Sequence, residues 1–400
     1  MQTLSGRSRA AAGGRGAPAA PRPGARRATL CRPAPAAAAA EARTHEGGVF
    51  VRMEGQPLLE LAGGHRAVPL LEPTVQRVPF AMALRIIDPG AAPAQVLGAG
   101  AGSGSDDAVE LHYVLGGAGS LLGAAGDSQP VGPGDSVLAA PGGATFAVDA
   151  GAGAAALVLL QLLLPGKLLR DVAAGQRSAF TDPGELGLSP EWAAPSVVKA
   201  GRLTQEMMCS LLSPEAMHSA HAEARAAAAA AAAATASLDD GDAPNNGAEV
   251  LVSPLAGGRL VRKRSLSGVR AWQLPNATNQ LALLFGPHTD PGMSLTFGVE
   301  MFEPGHRTAR HIHTAAFEMF IVLGGEGVGI SNSDKVPLRA GDVAVFPPHV
   351  VHAIDNPSAR RLYCLQMMLP NDMFAEFVTS GSLLDPLDRD DMAGIITGTC

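Results

Sequence analysis

Cysteine is scarce in this chain: Cys31, Cys209, Cys364 and Cys400 are the only four in 400 residues, and none stands in a CxxC pair. That argues against a disulfide framework. Long apolar runs are also missing, since no stretch reaches the roughly 18 to 20 residues a helical membrane span needs. Positive charge is in deficit, with 30 Lys and Arg against 37 Asp and Glu for a net charge of −7. A basic face for nucleic acid is therefore not expected. Histidine is rare too, at 11 residues, yet three of them crowd between 306 and 313.

Acidic residues are absent from residues 1–40, which hold seven Arg; the first acid is Glu41. An Arg- and Ala-rich, acid-free leader with no central apolar block resembles an organelle transit peptide, not a secretory signal. The expected address is the chloroplast, with mitochondrion or cytoplasm as alternatives. Removing the seven arginines takes the net charge from −7 to about −14.

The remainder is rich in turn formers, with 48 Gly and 31 Pro, and 46% of residues are hydrophobic. This suits many short strands better than long helices. Four blocks occur twice in the same order: RIIDPG (85–90) and EMFEPG (300–305), ELHYVLGGAG (110–119) and EMFIVLGGEG (318–327), VGPGDSVLAAP (131–141) and LRAGDVAVFPP (338–348), LLLPGKLLRDVAAG (162–175) and MMLPNDMFAEFVTSG (367–381). Two copies of one domain account for this. VELHYVL and FEMFIVL read as strands running into Gly-Gly turns, DVAVFPP as a strand stopped by proline, and Ser331–Lys335 as the turn of a hairpin. Nine alanines, Ala226–Ala234, and a polar loop separate the copies. The expected division is a leader at 1–40, a first domain at 41–213, an Ala-rich linker at 214–248 and a second domain at 249–400. The expected class is all-β, an antiparallel barrel or jelly roll with a few peripheral helices.

His311 and His313 are spaced i, i+2, which on a strand puts both imidazoles on one face. Glu318 follows, with Glu318, Phe320 and Val322 as the inward set of the next strand. His352 lies further on, in an alternating stretch with Ile354. A barrel lets these segments converge. His306 and His349 are expected at its rim, and Arg307 and Arg310 at strand edges.

The spacing closely resembles the cupin family. Its first motif, Gly-x5-His-x-His-x4-Glu-x6-Gly, is met by Gly305, His311, His313, Glu318 and Gly325. Its second, Gly-x5-Pro-x-Gly-x2-His-x3-Asn, is met by Gly341, Pro347, His352 and Asn356, with His349 where the family has Gly. The resemblance implies two tandem double-stranded β-helix barrels, a bicupin. It implies His311, His313, Glu318 and His352 as ligands of one divalent transition metal, Mn or Fe first, then Zn, Ni or Cu. Their ligating atoms should then lie within about 4 Å of one another. In the first copy the histidine positions hold Ser103, Ser105 and Thr145, and only Glu110 survives. That copy resembles a degenerate cupin, with Glu110 and His112 expected as core or barrel-lining residues.

Mixed nitrogen and oxygen ligation with open positions suits catalysis more than structure. The resemblance implies an Fe- or Mn-dependent oxidoreductase of dioxygenase or decarboxylase type, acting on a small organic acid or phenolic. The alternative is a non-catalytic cupin that binds or senses a small ligand. No catalytic acid or base is identifiable. The expected partners are a small molecule, the second barrel of the same chain and a further copy in a homo-oligomer, with no nucleic acid and no membrane.

Overall fold

In the computed structural model, the residues described are 43–45, 47–95, 108–122, 128–139, 144–150, 155–165, 197–212, 249–255, 259–289 and 293–398. The leader at 1–40, Ser103, Ser105 and the segment 214–248 lie outside them. The fold is all-β: two nine-stranded antiparallel sheets, one of four strands and one of three, with four short helices among the described residues. None of those helices is long and apolar enough to cross a membrane.

The repeat is visible in the backbone. Gly90 and Gly305 have φ of 74° and 75°, and Gly134 and Gly341 have 87° and 85°. Both pairs sit in left-handed turns that glycine adopts without a Cβ penalty. At equivalent positions after these turns, Asp135 Oδ2 accepts from Gly132 N and Asp342 Oδ2 accepts from Arg339 N, each at 3.1 Å. The hairpin Glu326–Ser331 and Asp334–Arg339 closes through Asn332, at φ 51°, as Ser331–Lys335 predicts.

The sheets cross the expected domain division. Gly48–Arg52, from the first copy, pairs with Asp342–Phe346 of the second. Arg259–Ser265, from the second, pairs with Asp135–Ala139 of the first. Asp135 and Asp342 are equivalent in the repeat, so each copy lends a strand to the same edge of the other. Cys209 is disulfide-bonded, which the sparse cysteines did not suggest, and Cys364 is free and buried.

Strand alternation divides each copy into two faces. One face enters a core shared by both copies, where Leu84, Leu162 and Tyr113 meet Phe297, Met319 and Leu365. The Tyr113 and Phe297 rings are 6.4 Å apart, edge to face. The other face lines a separate barrel interior: Val114, Phe146 and Leu159 in the first copy, Phe302, Phe320 and Phe346 in the second. Both faces being buried explains why these strands read as nearly continuous apolar runs.

Candidate metal centre

Glu318 is supplied by the strand Phe317–Gly324, whose inward face is Glu318, Phe320 and Val322 as expected. His352 opens the short strand His352–Asp355. His311 and His313, expected on a strand, lie instead in an extended loop between Phe302 and Phe317. The i, i+2 logic survives because the loop is tied down locally. His311 forms an isolated bridge with His352, its N–H donating to His352 O at 3.2 Å and its C=O accepting from His352 N at 2.9 Å. His313 O accepts from His349 N at 2.8 Å. His349, standing where the motif has Gly, adopts φ 67°, so the turn keeps the geometry that explains glycine there.

The four side chains converge and are all buried. The imidazole Nε2 atoms of His352, His313 and His311 lie 2.7, 3.4 and 3.6 Å from one atom, Glu318 Oε2. Adjacent ligands on a metal with bonds of about 2.1 Å would be roughly 3.0 Å apart. The whole ligand set spans 4.8 Å, somewhat wider than the 4 Å expected. Among the described residues no other group of three or more such side chains comes together.

Hydrogen bonding fixes the rings. His311 Nδ1 faces Ala309 O at 2.9 Å and His352 Nδ1 faces Val350 O at 2.8 Å. A carbonyl only accepts, so each Nδ1 carries a proton and each Nε2 is left to face the Glu318 carboxylate, as a donor when the ring is protonated and as a lone pair when it is neutral. When the rings are neutral, electron pairs face one another at these distances, an arrangement that a shared cation satisfies. His313 Nε2 has no hydrogen-bond partner among the described residues. The donor set therefore fits a divalent metal.

Electrostatics agree. Burial pushes the Glu318 pKa up, but the three imidazoles gathered around the carboxyl outweigh it and hold it well below the usual range. Burial holds His352 down against the pull of Glu318, while in His311 the pull of Glu318 outweighs burial and raises it. Phe346 stacks on His352 at 4.6 Å, and Gln366 Nε2 donates to Glu318 Oε1 at 3.2 Å.

Sequence reasoning missed Glu300. It is buried on the strand Thr296–Phe302, opposite Cys364. Gln366 lies two residues along the intervening strand from Cys364, and Glu318 is opposite Met368, so all face one interior. Burial first, then the like charge of Glu318, pushes its pKa up to about 8, against a hydrogen bond from Asn279 Nδ2. The signal was available, since Glu300 opens one of the repeated blocks. His306, expected at the rim, is 8% exposed, its Nδ1 2.6 Å from Thr278 Oγ1 and its ring against Phe302. Arg310, by contrast, is exposed and donates to Asn332 O at 3.0 Å.

Residues 298–368, which hold all four candidate ligands, match the cupin domain family. The second barrel thus contains the segment that matches this family. A 66-residue stretch is 35% identical to the oxalate-binding protein of Thermotoga maritima, covering 16% of this chain and 54% of that one. The chain thus spans about half the length of that relative. Among solved structures, the chain is similar to protein YlbA from E. coli at 12% identity, with 82% of this chain and 93% of that one covered and a TM-score of 0.45. It is also similar to a single-residue variant of the oxalate decarboxylase of Bacillus subtilis, at 15% identity, 80% and 76% coverage and a TM-score of 0.43. The oxalate decarboxylase formate complex of Lactobacillus farciminis matches at 14% identity, 80% and 86% coverage and a TM-score of 0.40.

Proposed function

We propose that the cupin barrel holds one divalent transition metal, Mn or Fe, on His311, His313, Glu318 and His352, and acts on a small organic acid as a metal-dependent oxidoreductase or decarboxylase. The observation that carries this reading is the convergence of three imidazole Nε2 atoms on one carboxylate oxygen, with Nδ1 of His311 and His352 already committed to backbone carbonyls. A bound metal would supply a Lewis acid and open coordination positions for a carboxylate.

The chain's own groups have separate tasks. Gln366 orients Glu318 through Oε1 and leaves Oε2 to face the imidazoles. Phe302, Phe320 and Phe346 give the interior an apolar lining. Glu300, whose pKa burial and the like charge of Glu318 push up to about 8, faces the same interior and is our candidate for donating a proton to a ligand there. The name of the Thermotoga maritima relative favours a second reading, capture of a dicarboxylate without turnover.

The test is metal analysis of the purified chain, followed by assays of CO2 release and dioxygen uptake with oxalate and a panel of phenolic and carboxylic acids. One equivalent of Mn or Fe with turnover supports the enzyme. One equivalent with tight oxalate binding and no turnover selects the binding reading. A chain that purifies without metal and takes none up overturns both.

A further inference from the structure

His311 and His313 arrive on a loop, so something other than a sheet must hold them still. Metal sites need ligands that are fixed before the ion binds. The loop lies along the segment that carries His352. Asn356 N donates to His306 O at 2.9 Å, the isolated bridges Arg307–Asp355 and His311–His352 follow, and His349 N donates to His313 O at 2.8 Å. Between the two bridges Thr308 ties the loop down with its side chain. Its Oγ1 donates to Ile354 O at 2.5 Å, and its N–H donates to Asp355 Oδ1 at 3.2 Å. Thr308 stands three residues before His311, and Ile354 two after His352.

The Thr308 hydroxyl is itself held. Its one proton goes to Ile354 O, so toward His306 Nε2, 3.1 Å away, it accepts. His306 Nε2 therefore carries a proton. Burial disfavours the charged ring, so Nδ1 is bare and accepts from Thr278 Oγ1 at 2.6 Å. The protons point one way along Thr278, His306, Thr308 and Ile354 O, and bonds in such a chain polarise one another. The ring is 8% exposed and packs on Phe302, with centroids 5.5 Å apart. It ties together three segments distant in sequence: the turn before Gln280, the ligand loop and the strand His352–Asp355.

The first copy supplies a control. Its turn at Gly90 matches Gly305, so Ala91 stands in the place of His306 and Pro93 in that of Thr308. Arg66 is opposite Ile86 as Gln280 is opposite Met301, so Gly64 stands in the place of Thr278. A Cβ on Gly64 would lie 3.9 Å from the Ala91 Cβ, so these positions adjoin as Thr278 and His306 do. None of the three residues can hydrogen-bond through its side chain. The brace is present in the copy with the ligand set and missing from the copy that retains only Glu110. We propose, taking the second barrel to hold a metal as above, that His306 is a positioning residue of that centre. It locks Thr308 in the orientation that fixes the loop of His311 and His313 against the strand of His352.

The experiment uses the full chain, stripped with a chelator and titrated with Mn(II), the free ion being read from its EPR signal. Co(II) loaded in its place reports ligand geometry through its visible bands. His306→Ala should weaken Mn(II) by about tenfold or more, the effect typical of groups that support ligands, and should shift the Co(II) bands. Thr308→Val, which keeps the side chain's shape and removes the hydroxyl, should do the same, and it carries the test if His306→Ala does not fold. His306→Gln, whose amide can accept from Thr278 and donate to Thr308, should return most of the affinity and the wild-type Co(II) bands. A wild-type chain that binds no Mn(II) overturns the metal reading and the brace together. A chain that binds Mn(II) equally well after His306→Ala overturns the role of His306 alone. So does a loss that Thr308→Val fails to share or His306→Gln fails to reverse, since the ring then only fills space.

Discussion

At the four interior positions where the second barrel carries Glu300, Glu318, Phe320 and Gln366, the first carries Arg85, Glu110, His112 and Gln161. The registers that place them are the same: Gln161 faces His112 as Gln366 faces Phe320, and Arg85 faces Leu159 as Glu300 faces Cys364. The sheet is thus common to both copies, whereas the histidines are not part of it. His311 and His313 come from a loop, and His352 comes from the small three-stranded sheet. Only Glu318 belongs to the large sheet, and only its counterpart Glu110 remains in the first copy. The segments that carry the candidate histidine ligands lie outside that frame, so they can differ between the copies while the packing of the large sheet stays the same.

The largest expected effect comes from removing the frame. A fragment from Val250 to Cys400 loses the strand Gly48–Arg52 from the edge of its sheet and exposes the Phe297, Met319 and Leu365 face. Exposed apolar faces and open strand edges associate. The fragment should dimerise or precipitate in analytical ultracentrifugation, and a monomer would show that the shared core is dispensable. Within the full chain, Phe297→Ala should cost about 3 to 5 kcal/mol in denaturant unfolding. A loss below about 1 kcal/mol would mean the two faces do not depend on each other.

Next come paired substitutions of the two barrels. His311→Ala should lower metal affinity by more than the roughly 10- to 100-fold typical of supporting residues. Glu110→Gln should leave the metal content at its wild-type value. Both are read by elemental analysis, and the comparison breaks if Glu110→Gln also sheds metal. Because ligands must be deprotonated, affinity should fall as pH drops, most steeply through His311, whose pKa is raised.

A smaller effect separates Glu300 from Arg85. A carboxyl whose pKa is higher folded than unfolded stabilises the fold while it holds its proton. That contribution is complete below about pH 4.5 and is lost as pH rises through about 8. The melting temperature of metal-free wild type should therefore decline over this window, and Glu300→Gln, neutral throughout, should flatten the decline. An unchanged slope would place the titration elsewhere. The smallest expected effect is at His349, whose φ of 67° carries a left-handed penalty of about 1 to 2 kcal/mol, offset in part by the freer unfolded glycine chain. His349→Gly should gain roughly 0.5 to 1 kcal/mol in thermal unfolding, and a loss would mean that the side chain holds the turn.

Much of this was legible in the sequence. Repeated blocks, turn glycines and inward alternation foretold the sheets, because a period of two and a required positive φ leave marks in local sequence. Spacing brought His311, His313, Glu318 and His352 together even though the assumed strand is a loop, because the motif reflects where side chains arrive, not the backbone that carries them. Three things were hidden. The strand exchange of Gly48–Arg52 and Arg259–Ser265 depends on pairing over nearly 300 and more than 100 residues, which no local pattern encodes. His306 looked exposed because its partners Thr278 and Phe302 come from other strands. Glu300, Arg85 and Gln161 read as ordinary strand residues because burial on both faces is a property of the packed pair.

The exchanged strands also set an order of events during synthesis. Domains ordinarily fold as units, N-terminal first, as the chain leaves the ribosome. Here the sheet of the first barrel is complete only when Arg259–Ser265 emerges, and Gly48–Arg52 must wait for Asp342–Phe346. The nascent first copy therefore carries an open edge for about 100 residues of elongation past its own last β-strand of the repeat, Leu157–Pro165, although its interior is already encoded. Once both strands are in place the two halves are clasped: a protease cut between residues 213 and 248 would sever the chain and leave the barrels joined.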